Sequence, residues 1–577
     1  MASTTKTLAS AEPATVTGVQ LMQGIGHREA KGFWADAWGQ VVRQPRAMLA
    51  LAWISTVAFF AAFAPVLASG HPLIFTRTLA DGSTITTYPL IENLKASDFL
   101  LVLAAVFGGL LFVLPLGRLG VSKGQKLGIV LAAMGQGAMV VFMGAAVRGY
   151  VEQRSVAPWV RDLEQQPSFI LWASLALAAI SGAVFVLVPV FRALWARMAM
   201  VVVVGLVAAG ATGLTWKTPP AVFAYRSQVE AGSASATFTL VPWSPVQRAT
   251  NLRLLDPGSD PLTPERTTFI EGELRAKYAA AEALASGVIA ESRAVAESAA
   301  SARGRTPQGV QRAGDEAALA ELRGVRAAVR AEHLPALEAS AMQKWPREGQ
   351  PRFVMGTDAI GQDVISQMMY ACRLSISIGL VSTGIAVAIG VTIGALMGYF
   401  GGWIDTLLFR VVEIFMAIPV LFLLIVAAAV LPRNTYVMMI IIGCVTWTGA
   451  ARFTRAEFMR LRNQDFVQAA QAVGLPLRSI LFKHMLPNGV TPVLVDASFA
   501  IAAAIQIEAV LSFLSLGPAE QPSWGRLLAS ATNEVGEFKW WLAIFPGFAI
   551  FLTALSYNLL GECLRDAIDP KLKKARV

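Results

Sequence analysis

Charge is scarce in this chain. Of 577 residues only 15% are Asp, Glu, Lys or Arg, while 55% are hydrophobic. Soluble domains carry roughly 25% charge, so a water-soluble globule is excluded. Cysteine is nearly absent: Cys372, Cys444 and Cys563 lie far apart, forming neither a disulfide framework nor a metal motif. The four histidines, His27, His71, His333 and His484, make no pair at helical spacing, and no metal site is expected. No Gly-Lys dipeptide occurs, so the chain lacks the P-loop that wraps nucleotide phosphates in backbone amides. No catalytic residue and no cofactor site is assigned to it. Residues 1–30 lack the apolar heart of a cleavable signal peptide, so the first apolar run reads as a retained signal anchor.

Apolar length is what the chain has. Roughly ten runs of about 19–27 residues can each cross a ~30 Å hydrocarbon core. They fall near 47–66, 99–117, 127–147, 169–191, 198–216, 374–400, 407–431, 435–453, 489–514 and 540–560. The formal charge of +10 collects beside these runs, in Arg43 and Arg46; Arg118, Lys123 and Lys126; Arg192 and Arg197; Arg452, Arg455, Arg460 and Arg462; and Lys571, Lys573 and Lys574. Placing every group in the cytoplasm satisfies all spans in alternation, with both termini inside. The basicity is therefore topological, and no nucleic-acid partner is expected. The fold class that follows is an all-α polytopic bundle of about ten transmembrane helices in a lipid bilayer.

Four regions are distinguished. Residues 1–66 hold a cytoplasmic amphipathic approach (Phe33, Trp34, Trp38) and the first span. Residues 67–216 add four accessory spans, read as packing or anchoring. Residues 217–372 are expected outside as a soluble segment. Within it, 264–345 is rich in Ala, Glu and Arg; Thr263-Pro264 and Thr306-Pro307 offer capping hydroxyls, and Gly304 and Pro307 break the run. A helical hairpin is predicted there, with an apolar seam thin enough that it leans on another surface. A spacer and a docking arm are both compatible with it. Residues 373–577 hold five spans and the most specific motifs.

Between the spans near 435–453 and 489–514 lies Asp465-Phe466-Val467-Gln468-Ala469-Ala470-Gln471-Ala472-Val473-Gly474, followed by Leu475-Pro476 and a second short segment to Leu486-Pro487. Asp465 or Asn463 can cap a first helix, and Gly474 can end it in the left-handed conformation. Pro476 suits the first turn of a second helix carrying Arg478, Ile480, Leu481 and Lys483, which Leu486-Pro487 is expected to terminate. Phe466, Ile480, Leu481 and Phe482 would form a knob for a socket on a soluble partner.

This loop resembles the cytoplasmic coupling loop of the oligopeptide/dipeptide ABC importer inner-membrane permeases, of the subunit type that follows its partner permease. The family pattern is Glu-Ala-Ala, three residues, Gly, nine residues, Ile, one residue, Leu-Pro. Ala469, Ala470, Gly474, Leu486 and Pro487 match it; Gln468 stands for the glutamate and His484 for the isoleucine. Gly356-Thr357-Asp358-Ala359-Ile360-Gly361-Gln362-Asp363-Val364 is similar to the family's external GTD-x-x-GRD-V element, with Gln362 for arginine. Arg373-Leu374-Ser375, Pro522-Ser523-Trp524-Gly525 and the segment from Leu564 to Pro570 agree as well. The resemblance is strong over about 350–572 and weaker at 31–66 and Trp243–Leu254. The four accessory spans and the hairpin depart from a compact six-span permease.

The resemblance implies a type I importer permease core, itself no enzyme, in the bacterial inner membrane. It implies a homologous second permease, two ABC ATPase subunits that bind ATP and Mg, and an extracytoplasmic substrate-binding protein. It assigns ATPase coupling to Gln468, Ala469, Ala470, Gly474, Arg478, His484, Leu486 and Pro487, and implies oligopeptides or dipeptides as cargo. Charges within spans are costly and mark interiors or cavities. Arg410 and Glu413 are three apart and placed to pair. Glu508 is assigned a structural or gating role, and Glu413 and Gln506 join it as pathway candidates. Other classes stand beside this reading: a permease for a nickel chelate, opine or oligosaccharide, a secondary transporter, or a membrane scaffold.

Overall fold

The computed structural model describes residues 33–78, 83–114, 123–152, 167–187, 194–214, 223–230, 233–348, 350–518, 521–532 and 538–568. Arg118, Arg192 and Lys571 to Lys574, used above to orient the spans, lie outside them. Helices dominate. Helix α1 (Phe33–Arg43) leads into α2 (Pro45–Leu67). The region expected to hold four accessory spans contains α3 (Ala96–Val113), α4 (Lys123–Glu152), α5 (Pro167–Phe185) and α6 (Leu194–Leu214), of which α6 alone is long and apolar enough to cross a membrane by itself. The hairpin is α7 (Thr263–Ala302) and α8 (Pro307–Lys344). Then follow α9 (Val364–Phe400), α10 (Gly402–Ala417), α11 (Val420–Val430), α12 (Thr435–Thr446) and α13 (Thr448–Arg462). The chain ends in α14 (Asp465–Ala472), α15 (Leu477–Phe513), α16 (Trp524–Thr532) and α17 (Trp540–Ile568).

Five of these helices are long and apolar enough to cross a membrane alone, and seven spans result if each of two bent pairs counts as one. Shorter apolar helices lie at Ala96–Leu111, Gly128–Val141 and Trp172–Phe185. The run near 407–431, read as one span, is broken: α10 and α11 meet at 82°. Pro419 precedes α11 with its φ fixed near −56°, and the residue before a proline is pushed out of helical geometry.

Helix α9 is the axis of the bundle, packed against α2, α12, α13 and α15. Gly390, Gly394 and Gly398 recur every four residues along it and form one notched ridge. A side chain at Gly394 would stand 2.4 Å from the carbonyl oxygen of Ala451, and one at Gly398 2.6 Å from Cβ of Phe458. Lipid tails are as apolar as leucine, so close backbone approach of this kind supplies the packing that water expulsion cannot. Beside it Ile378, Leu424, Ile442 and Leu511 form a fully enclosed cluster.

Two long segments leave this core and return where they left. The first departs after α2 and comes back at Val241, whose amide donates to the Leu67 carbonyl (2.9 Å) while Ser69 donates to Val241 (3.2 Å). A small antiparallel sheet, unanticipated in the sequence, strengthens that root. Strand β1 (Ile74–Thr78) pairs with β2 (Thr84–Thr87) on one side and β3 (Ala234–Thr237) on the other. β-branched Ile and Thr dominate β1 and β2, which suits a pleated surface. The second segment is the hairpin. Its root closes where Phe353 donates to Ser259 (2.7 Å) and Gly258 donates to Phe353 (2.8 Å). At its base Arg266 pairs with Asp260 and donates to the Trp345 carbonyl (2.7 Å).

Each hairpin helix is about 60 Å long, and among the described helices each packs extensively on the other alone. The expected lean on another surface is therefore not seen among the described residues. Arg293 bridges Glu297 and Asp315 at 2.9 Å, and Arg326 reaches Glu282 at 2.6 Å, so polar pairs supplement the thin alanine seam. Thr306 caps α8 as predicted, accepting from the Gly309 amide (3.3 Å). Thr263 instead lies inside α7 and accepts from the Asp260 amide (3.1 Å).

Candidate coupling surface

The segment 463–488 sits at the end of the bundle opposite the hairpin root, held by α9, α13 and the start of α15. Helix α14 begins with Gln464 at its cap, and neither Asn463 nor Asp465 caps it through a side chain. Gln468 instead folds back onto the Asn463 carbonyl (3.4 Å). Gly474 ends α14 with φ +76°, while Leu475 donates to Ala470 and Gly474 to Gln471 (3.1 and 2.9 Å). That is the left-handed stop anticipated from the sequence, available to glycine without strain. A side chain at Gly474 would meet nothing within 4 Å, so the site is open as well as turned.

The second helix departs from expectation. It does not stop at Leu486-Pro487 but runs on through them as α15, with Ile480–Met485 wound as a π-helix. Proline lacks the amide that the α ladder requires, and one widened turn before it absorbs that defect. The winding also corrects the knob. Ile480, Leu481 and Met485 are buried with Val467, Ala470, Phe458 and Leu461 in the chain's own core. Ala470 therefore serves packing within the chain, whereas Ala469 and Gln468 face outward. The exposed apolar side chains are Phe466, Val473, Leu477 and Phe482, with Arg478 and Lys483 among them. His484 is half-buried, and its carbonyl accepts from Asn488 (2.7 Å). Leu486 packs beside the buried base, and Pro487 is exposed.

Braces fix this surface to the bundle. Arg462 donates to the carbonyls of Tyr399 and Phe400 (3.0 and 3.3 Å), and Gln471 to the Tyr399 hydroxyl (3.2 Å). Arg455 grips Asp405 through two bonds of 2.5 and 2.7 Å and lies over the Phe409 ring. Planar, bidentate pairing of this kind fixes orientation as well as distance. Sequence reasoning missed Val473 and Leu477 on the outer side and Tyr399 and Arg462 as braces. The i, i+5 spacing of Ile480 and Met485, a π rather than an α period, was the available signal for the inward face.

Residues 390–574 match the family described as the binding-protein-dependent transport system inner membrane component. The chain is 40% identical over 217 residues to the oligopeptide transport system permease protein OppC of Haemophilus influenzae, covering 37% of this chain and 70% of that protein. It is 37% identical over 219 residues to the dipeptide permease DppC of Alkalihalophilus pseudofirmus, and 38% over 232 residues to the di/tripeptide permease DppC of Pseudomonas aeruginosa. Those matches cover 38% and 40% of this chain, and 72% and 76% of the relatives. This chain belongs to the binding-protein-dependent ABC importer permease family. It is a multi-pass protein of the inner membrane.

The permease places its remaining site candidates in different surroundings. Glu413 forms an ion pair with Arg410 (2.5 Å) on the exposed side of α10. Gln506 is exposed on α15, in line with Ala503, Val510 and Phe513. Glu508, one residue pair further round, is fully buried; one carboxylate oxygen accepts from Ser512 (2.7 Å) and the other has no hydrogen bond of ordinary geometry, although Ser523 stands near. A side chain at Gly525 would strike the Ala509 carbonyl at 2.1 Å, so Glu508 lies where α16 seats on α15. At that same end Thr357 is tied to Leu252 and Leu255 (2.6 and 2.8 Å), and Trp541 donates to its carbonyl (3.2 Å). Asp358 accepts from Ile360, Gln362 and Gln367, and Asp363 caps α9 through Ser366 (2.8 Å). Burial raises both carboxyls above the ordinary range, Asp363 to about 7. Among the described residues no group of His, Cys, Asp or Glu is placed to hold a metal ion.

Proposed function

We propose that this permease is one of two membrane subunits in an ATP-driven importer of oligopeptides or dipeptides, and that 465–487 is its contact with an ABC ATPase. The observation that carries this is the division of that segment into a buried base and an exposed apolar rim around the open Gly474. A cluster of exposed apolar side chains on a braced element marks a surface for a partner. The segment then lies in the cytoplasm, with both termini, and the hairpin lies outside.

ATP and Mg bind the two partner ATPases, and their closure pushes on the rim. Because Arg455 and Arg462 tie the rim to α9 and α10, that push moves helices as rigid bodies and switches the access of the pathway. Gln468, Ala469, Arg478 and His484 act at the contact; Ala470 and Leu486 hold its base; Pro487 sets the winding behind it. Gln506, a polar group on an uncovered membrane face, lines the pathway or meets the homologous second permease. Glu508 is a structural hydrogen-bond node of the outer end, and Glu413 belongs with Arg410 to the face turned toward the partner subunits. A binding protein outside supplies cargo. The relatives' names join in peptides, from dipeptides to oligopeptides.

Gly474→Val places a β-branched residue at φ +76° in the middle of the rim. ATP-dependent peptide uptake into membrane vesicles should fall at least about tenfold, since 1.4 kcal/mol of lost contact suffices for that. Membrane insertion should be unchanged, and co-purification of the ATPases should weaken. Undiminished uptake would overturn the assignment. Uptake of a chelate or sugar in place of peptide would reassign the cargo alone.

A further inference from the structure

A cavity of about 1440 Å³ separates the accessory spans from the core, walled by α3, α4 and α6 on one side and by α9 and α12 on the other. Its walls are strongly asymmetric along α3. From Leu100 to Leu111, about 17 Å along α3, the lining is apolar: Leu101, Phe107 and Leu111 on α3, Val130 and Met134 on α4, Val207 on α6. The end nearest the hairpin root is polar. There Asp98 pairs with Arg373 of α9, the exposed Lys95 begins α3, and His71 looks in from the loop after α2.

That polar end is incompletely satisfied. Arg373 uses one guanidinium nitrogen on Asp98 and another on the Ala61 carbonyl (3.0 Å), while its Nη2 is buried with no hydrogen-bond partner. His71 Nδ1 is likewise buried and unpartnered. Burial lowers the pKa of His71, which favours the neutral ring. Among Lys95, Arg373 and Asp98 one positive charge is left over. A buried donor without an acceptor costs about 1–3 kcal/mol, and among the described residues none supplies an acceptor to Arg373 Nη2.

We propose that this cavity is a lipid site, holding an acyl chain of an anionic outer-leaflet phospholipid between the accessory spans and the core, with the phosphate at Lys95, Arg373 and His71. The inference rests on the orientation given above, but not on the cargo or on ATPase coupling. It supplies a role for the accessory spans: with the lipid in place they form a continuous wall with the core. An apolar slot the length of a lipid tail, ending at a cationic rim, matches that amphiphile. A peptide would leave its backbone groups unpaired along the apolar wall.

The test is native mass spectrometry of the full chain, purified with its partner subunits in mild detergent and supplied with phosphatidylglycerol, phosphatidylcholine of the same chains, or inorganic phosphate. Phosphatidylglycerol should be retained about fivefold better than phosphatidylcholine, the effect of one surplus cation. Lys95→Gln should erase that preference; Lys95 is exposed and caps nothing through its side chain, so the fold should survive. Ala138→Trp, on the α4 wall of the cavity, should reduce retention of both lipids. Equal retention of the two lipids by the unaltered chain, or a preference that survives Lys95→Gln, would overturn the headgroup assignment. Displacement of phosphatidylglycerol by millimolar inorganic phosphate would show a free-anion site and overturn the acyl-chain assignment. Uptake measurements are independent of all these outcomes.

Discussion

The core and the accessory spans are built from equally apolar helices, yet they pack by different means. In the core, α9 lies on α13 along a glycine ridge so close that a single added methyl would collide with backbone. In the accessory unit the tightest glycines would meet side chains instead, Gly144 at 2.8 Å from Thr212 Cγ2 and Gly182 at 3.0 Å from Val201 Cγ1; Gly109 of α3 would meet nothing within 4 Å, and the unit faces the core across a cavity. Among the described residues the Asp98–Arg373 pair and contacts of α3 with α2 bridge the two. The lesson is that backbone proximity, more than hydropathy, marks the part of a membrane bundle on which the rest depends. Large segments have been accommodated where the chain closes its own root, at Leu67 with Val241 and at Ser259 with Phe353.

The sharpest way to break the comparison is to enlarge a glycine in each region. Gly394→Leu should abolish the folded permease, because its side chain enters the Ala451 carbonyl, whereas Gly109→Leu should leave the elution profile in detergent unchanged. A folded Gly394→Leu protein would show that the ridge is not the basis of the core. An intermediate effect is expected at the bridge. Asp98→Ala strands Arg373 among apolar helices and should cost about 3 kcal/mol, seen as a lowered thermal midpoint by tryptophan fluorescence. Asp98→Ala combined with Arg373→Gln should recover part of that loss. If the single substitution is silent, the accessory unit is held by other contacts.

The smallest effect concerns the knot at the start of α9. Asp363 has its folded pKa raised from 3.8 to about 7 by burial, with Asp358 adding to the rise. Such an acid is protonated in both states below the ordinary carboxylate range and costs nothing there; the penalty grows as pH rises and is complete above about pH 7. Stability should therefore fall between pH 4 and pH 7, the interval bounded by those two values. Asp363→Asn keeps an acceptor for the Ser366 amide and should flatten the fall by a few degrees. A pH profile identical to that of the unaltered chain would remove Asp363 from the account.

Much of the candidate coupling surface was legible in local sequence. Gly474 had to be a left-handed stop because a helix-forming run meets Leu475-Pro476 directly after it. The Arg410–Glu413 pair followed from helical spacing. The knob was only half legible: Phe466 and Phe482 face outward, but Ile480 and Leu481 turned inward because the π winding ahead of Pro487 rotates the face that α periodicity assigns.

By itself the sequence determined the solvent: apolar runs long enough for hydrocarbon, with little charge to spare for water. It determined where helices must stop, since glycine and proline act through their own φ angles. Tertiary structure alone decided which apolar faces meet protein and which meet lipid, because the two surroundings are equally apolar and leave no contrast along the chain. It also decided that Ile74 to Thr78 pairs with Ala234 to Thr237 across the accessory spans. Pairing over that distance depends on where the six described helices between those strands return the chain, and no local pattern encodes it.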